Sequence, residues 1–232
     1  MSESFRWSLV VPVKQAQQAK TRLRAPAPLS RPALARAIAL DTLEAVCRAL
    51  PPGDVVTVTS DEVVGPAAAA LGARVIPDPG AGLNAAITAG IQEAVTASPN
   101  SWPTASRSHA PTAGPEARGI AVLLGDLPAL RPEDLVAALQ DCADHRRAVV
   151  PDHSGSGTVL LTAAPGILPE PGFGPGSAAR HGESATVLTP DLPRLRRDVD
   201  DLADLQAVIE LGVGRHTAEL LAMDARPTAT AH

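Results

Sequence analysis

An uninterrupted apolar run, Trp7 to Val13 (WSLVVPV), predicts a buried β-strand, because a strand covered on both faces has no polar alternation to show. A polar loop with Lys14, Lys20, Arg22 and Arg24 follows. From Ser30 the period becomes helical. Leu34, Ile38, Val46 and Leu50 recur at helix spacing, Ser30 stands where an N-cap belongs, Pro32 lies in the first turn, and Pro51-Pro52-Gly53 stops the run. Asp54 to Thr59 (DVVTVT) predicts a second strand, Val63 to Leu71 a short Ala-rich helix, Arg74 to Pro77 a third strand, and Gly82 to Ala97 another helix. Residues 98–118 are rich in Pro, Ser and Ala and lack periodicity, which predicts a mobile surface insertion. Beyond it the pattern predicts a strong strand at Gly119–Leu124, a helix at Pro132–Asp144, and strands at Ala148–Pro151 and Thr158–Ala163. A Gly/Pro-rich loop over 165–176, a helix start at Ser177–His181, a strand at Ala185–Leu188 and a helix at Leu202–Leu211 complete it.

Strands alternating with helices argue for a three-layer α/β/α sandwich on a largely parallel sheet. Strands continue on both sides of the insertion, so residues 1–222 read as one domain, with 223–232 as a flexible tail. Ligands in such folds sit beyond the carboxyl ends of the strands. That rule places Lys14–Arg24, Asp61, Asp126 and the 152–157 loop along one edge.

Composition narrows the partners. The 232 residues carry a net charge of −5, so no bulk positive field draws the chain to nucleic acid. Tyr is absent and the aromatics are Phe5, Trp7, Trp102 and Phe173, too few for a base-stacking surface. The basic residues are Arg except for Lys14 and Lys20, which stand close together in the loop after the first strand. Cys47 and Cys142 fall in helical stretches and read as small buried hydrophobes rather than a disulfide. No charged leader precedes an apolar core and no apolar run approaches ~20 residues, so a cytoplasmic protein without a membrane partner is expected.

Common site motifs are missing. No G-x-G-x-x-G follows the first strand, and Gln15 to Ala19, ahead of Lys20-Thr21, lacks the glycines of a P-loop. Neither G-x-S-x-G nor a Ser/His/Asp set appears. Acidic residues at strand ends are present instead. Asp126 directly follows a hydrophobic strand, as a metal ligand would, or as a turn former ahead of Pro128. Asp198 and Asp200 share a face if the chain there is extended, and both could meet one hard cation, although Asp200 or Asp201 could equally cap the 202–211 helix. Gly155-Ser-Gly157-Thr158 and Gly172-Phe-Gly174-Pro-Gly176-Ser177 offer backbone N–H groups and hydroxyls to a small anion, or are simple loops. His153 and His181 lie near these loops and read as solvent-facing or packing residues.

Val10-Val-Pro-Val-Lys14 with Ala19-Lys-Thr-Arg-Leu23, Thr59-Ser-Asp61, Gly82-Leu-Asn-Ala-Ala86 and Gly125-Asp-Leu-Pro-Ala129 occur in one order. They continue with Gly155-Ser-Gly-Thr158, Phe173-Gly-Pro-Gly-Ser177 and Arg197-Asp-Val-Asp200. Together, over about residues 7 to 215, they resemble the 2-phospho-L-lactate or phosphoenolpyruvate guanylyltransferase family of deazaflavin coenzyme (F-420) biosynthesis. The resemblance implies a nucleotidyltransferase-like (Rossmann-like, GT-A type) α/β/α sandwich with a mostly parallel mixed sheet, using GTP and Mg²⁺. By matching motif, Asp126, Asp198 and Asp200 would hold metal, and Thr158, Gly174 and Ser177 would bind the phosphorylated three-carbon acid. Lys14, Lys20 and Arg22 would be the catalytic cations on the GTP phosphates, with Gly82 and Asn84 lining the nucleotide side. A homodimer and hand-over of the unstable product to the next enzyme of the pathway are further expectations. Ser156 stands where the family more often has Thr, Asp201 replaces a usual Thr beside the metal, and the 98–118 insertion is longer than usual. Phosphoenolpyruvate is the expected acid, because the Arg-rich, Lys-poor chain resembles the bacterial branch. A molybdopterin-type nucleotidylyltransferase, a GT-A glycosyltransferase using Asp-x-Asp, and a non-catalytic nucleotide-binding regulator are the alternatives.

Overall fold

The computed structural model describes residues 5–16, 29–97 and 117–224. Lys20 and Arg22, most of the 98–118 insertion, and residues 225–232 lie outside them. Strand β1 (Arg6–Pro12) is followed by α1 (Arg31–Ala49), β2 (Val55–Val58), α2 (Val64–Ala70), β3 (Arg74–Ile76) and α3 (Leu83–Thr96). Then come β4 (Arg118–Leu123), α4 (Pro132–Ala143), β5 (Arg147–Pro151), β6 (Thr158–Ala163) and α5 (Ser177–Gly182). A short strand β7 (Thr186–Val187) precedes α6 (Pro193–Arg196), α7 (Leu202–Leu211) and α8 (Arg215–Asp224). The strands join in the order β3-β2-β1-β4-β6-β5-β7. Strands β1, β2, β3 and β4 are parallel neighbours and β5 is parallel to β7, whereas β6 runs antiparallel to both β4 and β5. Because β6 alone is reversed, its first residue, Thr158, arrives at the edge where β1, β4 and β5 end.

Alternation along β1 divides the core between two faces. Leu9 and Val11 pack with Leu43 and Val46 of α1, Val64 and Ala68 of α2 and Leu135 of α4. Val10 packs on the other face with Val56, Val58 and Val122 and with Ile87 and Ile91 of α3. The result is the expected sandwich of helix, mixed sheet and helix. Helix α3 lies unusually close to the sheet at Gly90. A methyl there would overlap Val10 and sit 2.8 Å from the Val58 Cγ2.

Local chemistry sets the element ends. Ser30 Oγ accepts the Ala33 N–H (3.3 Å), and Pro32 sits in the first turn of α1. Arg118, inside the expected insertion, already belongs to β4, and Arg6 and Arg118 both pair with the buried Asp54. Helix α8 lies outside the elements expected from the sequence. Its first turn is held by the Asp41 carboxylate of α1, which accepts the His216 and Thr217 N–H groups at 2.8 and 2.9 Å. Cys47 and Cys142 are free thiols, and burial pushes the pKa of each up to about 11. Among the described residues no helix is long and apolar enough to cross a membrane.

Candidate active site

A cleft of about 480 Å³ opens along the edge where β1, β4 and β5 end and β6 begins. Lys14, Asp126, Thr158, Gly174, Ser177, Asp198 and Asp200 all line it. Gly82 and Asn84 stand outside its lining, although Leu83 between them reaches it.

The acidic residues converge from two loops. Hydrophobic packing in β4 ends at Leu123, so the chain emerges into solvent at Gly125-Asp126. Gly125 permits this close passage, since a Cβ would sit 3.0 Å from the Pro12 carbonyl. Thr42 of α1 fixes the loop by accepting the Leu127 N–H at 2.9 Å. The second loop follows α6. Val199 is fully buried against Leu34 and Ile38 of α1 and Leu205 and Val208 of α7, and its N–H donates to the Asp126 carbonyl at 3.2 Å. Burying Val199 turns its neighbours Asp198 and Asp200 to the cleft, as alternation in extended chain requires. One carboxylate oxygen from each of Asp126, Asp198 and Asp200 lies within 4.8 Å of the others. Three converging carboxylates are a hard oxygen donor set suited to a divalent cation. Asp201 does not join them. Its carboxylate caps α7 by accepting the Ala203 and Asp204 N–H groups at 2.8 and 3.0 Å, and Asp204 answers by accepting the Asp201 N–H.

The two glycine-rich loops are held by side chains of which the sequence motifs single out only Asn84, and that for another task. Asp152, at the end of β5, accepts from Ser154 Oγ (2.8 Å), Ser156 N–H (3.1 Å) and Gly157 N–H (2.9 Å), folding the loop onto itself. The second loop is fastened at three points. The Asn84 amide accepts the Phe173 N–H at 2.9 Å and donates to the Phe173 carbonyl at 3.1 Å. Arg180 donates to the carbonyls of Gly172 and Pro175. His181 Nε2 accepts the Gly172 N–H at 2.9 Å while Nδ1 meets Thr158 Oγ1 at 2.9 Å. Burial, and then the neighbouring Arg180 charge, lower the His181 pKa, so the ring is neutral at neutral pH. Between these fastenings Gly174 and Gly176 adopt positive φ (128° and 71°), and both line the cleft. His153 is exposed, as expected.

Lys14 follows β1 at the cleft, and the start of its loop is anchored by Asp61. That buried carboxylate accepts the Ala16 N–H (3.0 Å), both N–H groups of Val63 and Val64, and the Arg36 guanidinium (3.0 and 3.1 Å). Asp61 is therefore a support beneath the loop and outside the cleft lining.

Comparison with known proteins bears on the family and the fold. Residues 31–171 match the MobA-like NTP transferase domain. A phosphoenolpyruvate guanylyltransferase of Salinispora arenicola is 45% identical over 228 residues, covering 96% of each chain. Its namesakes in Geodermatophilus obscurus (43%, covering 96% of this chain and 97% of that one) and Streptomyces coelicolor (42%, 94% and 97%) are similar at the same level. Among solved structures, one from Desulfovibrio desulfuricans named for nucleotide-diphospho-sugar transfer superposes with a TM-score of 0.63 at 17% identity, covering 97% and 96% of the two chains. A cytidylyltransferase from Leptospira borgpetersenii gives 0.52 at 12% identity, covering 95% and 94%. At these identities the structures speak for the fold, and the sequence relatives for the family. The chain is a member of the phosphoenolpyruvate guanylyltransferase family of nucleotidyltransferases.

Proposed function

We propose that this protein transfers GMP from GTP to phosphoenolpyruvate, releasing pyrophosphate and forming enolpyruvyl-2-diphospho-5'-guanosine in coenzyme F-420 biosynthesis. The observation that carries the reading is the convergence of Asp126, Asp198 and Asp200 in the cleft that also holds Lys14, Thr158 and Ser177. The described lining has four aspartates to one lysine, yet both substrates are polyanions. Such a lining favours them only with a cation on the carboxylates. Asp126, Asp198 and Asp200 fit Mg²⁺, which when bound offsets phosphate charge and stabilises departing pyrophosphate.

The chain's own groups then have separable tasks. Lys14, together with Lys20 and Arg22, holds the GTP phosphates. Thr158, Gly174 and Ser177 take the phosphorylated acid, whose loop is already fastened before substrate arrives, so little ordering entropy remains to oppose binding. Asn84 fastens the acid-side loop and not the nucleotide side, since both ends of its amide are engaged by the Phe173 backbone. A phosphate oxygen of the acid attacks the α-phosphorus of GTP, and the bond to the β-phosphate oxygen breaks. The acid's phosphate has a second pKa near ~6 and is already ionised at neutral pH, so no general base is needed. The test is product identity. With Mg²⁺ and GTP, mass spectrometry should find the acid joined to guanosine through a diphosphate, faster with phosphoenolpyruvate than with 2-phospho-L-lactate or 3-phospho-D-glycerate. No such product from any of the three would overturn the proposal.

A further inference from the structure

His181 reads from the sequence as a solvent-facing or packing residue, but its two ring contacts define a proton arrangement with a consequence for the substrate site. The Gly172 N–H can only donate, and it lies 2.9 Å from Nε2, so Nε2 carries no proton. The neutral ring therefore carries its proton on Nδ1, which must donate to Thr158 Oγ1 at 2.9 Å. The opposite assignment, with Thr158 donating to Nδ1, would put a proton on Nε2 facing the Gly172 N–H, two donors at hydrogen-bond distance. Since Thr158 Oγ1 accepts from the imidazole, its own hydroxyl proton points elsewhere. Thr158 is 2% exposed and lines the cleft, so the anion that enters there is the acceptor this hydroxyl can serve.

We propose that His181 is a positioning residue which, as its Nδ1–H tautomer, both clamps the Gly172–Ser177 loop and presets the Thr158 hydroxyl as a donor to the phosphorylated acid. This rests on the acid-site reading above. The ring is rigidly placed for the task, with its edge contact to Phe173 at 5.0 Å between centroids and its position 4% exposed. Phe173 is in turn fixed by Asn84, so the clamp joins α3, β6 and α5 around one loop. Neither His181 nor Gly172 lines the cleft, so the residue acts through Thr158 and the loop backbone.

Two kinds of measurement test it on the full chain. Nitrogen NMR of ring-labelled histidine in the substrate-free protein, with His181 assigned by its loss in His181→Asn, should show Nδ1 protonated and Nε2 bare. Steady-state kinetics should then separate the two substrates. Thr158→Val and His181→Gln, which keeps an acceptor near Gly172 but no donor near Thr158, should each raise KM for phosphoenolpyruvate on the order of tenfold or more. KM for GTP should stay put. His181→Asn restores an amide donor near Thr158 but leaves the Gly172 N–H without its acceptor, so it should recover part of the loss, while Thr158→Val/His181→Gln should be no worse than Thr158→Val alone. A protonated Nε2, an unchanged phosphoenolpyruvate KM in His181→Gln, or equal rises in both KM values would overturn the proposal. Absence of turnover by the wild-type protein would refute the guanylyltransferase reading instead, and the NMR tautomer would still decide for or against the His181 arrangement.

Discussion

Asp198 and Asp200 act as a pair because the residue between them is committed to the core. Val199 is fully buried and tied through its N–H to the Asp126 carbonyl, so one contact sets the spacing of all three carboxylates. Asp126→Asn keeps the shape and removes the charge. It should lower turnover by roughly 10²–10³-fold or more while the thermal melt stays within a few degrees of wild type. Asp201, one position further on, has a different task. An aspartate and a threonine are both good N-caps, so Asp201→Thr should be nearly neutral in stability, whereas Asp201→Ala should cost about 1 kcal/mol in denaturant unfolding. Neither should change Mg²⁺ dependence, because the Asp201 carboxylate is held by the α7 backbone. The acidic trio was legible in the sequence only once the family resemblance was added to the strand-end Asp126 and the Asp-x-Asp spacing, because a turn before Pro128 and a cap for α7 explain the same residues. Asp152, Arg180 and His181 were not, because each acts on backbone groups of a loop whose path only the fold defines.

At the scale of elements, apolar period with its caps and Pro/Gly breakers marked most strands and helices, and their ends shifted by a residue or two. Three features escaped, one of them the short α6. The reversal of β6 leaves no mark in a run of buried residues, since parallel and antiparallel central strands are equally apolar. Helix α8 is held by a cap from Asp41 in another helix, 175 positions away. Close approach of α3 to the sheet makes Gly90 a sensitive point. Gly90→Ala should destabilise by about 1–3 kcal/mol in urea unfolding despite the better helix propensity of alanine, because Val10 and Val58 cannot yield without moving two strands. The first residues after β1 are anchored at Ala16 by Asp61. Burial alone would raise its pKa, but the N–H groups of Ala16, Val63 and Val64 and the Arg36 guanidinium outweigh burial and hold it below its ordinary value. Its contribution is therefore present above about pH 4, the unfolded range, and is lost as pH falls through the depressed folded value. Asp61→Asn should cost about 2–3 kcal/mol near neutral pH by denaturant unfolding, a difference that closes as the wild-type protein is acidified.

Across the whole molecule, a chain of net charge −5 must concentrate what attraction it has for polyanions in one place. Lys14, one of only two lysines, lies at the cleft, in a described lining whose other charged residues are all aspartates. On the proposed reading the activity requires a divalent cation at these carboxylates: chelation should abolish it, and Mg²⁺ should restore it without refolding. The central claim, that Asp126, Asp198 and Asp200 support GMP transfer in this cleft, is tested most directly by pyrophosphate release from GTP and phosphoenolpyruvate. The predicted result is steady release by the wild-type chain that requires both substrates and Mg²⁺ and is lost in Asp126→Asn. Release that persists undiminished in Asp126→Asn, or none from the wild-type chain with any phosphorylated three-carbon acid, would contradict the account.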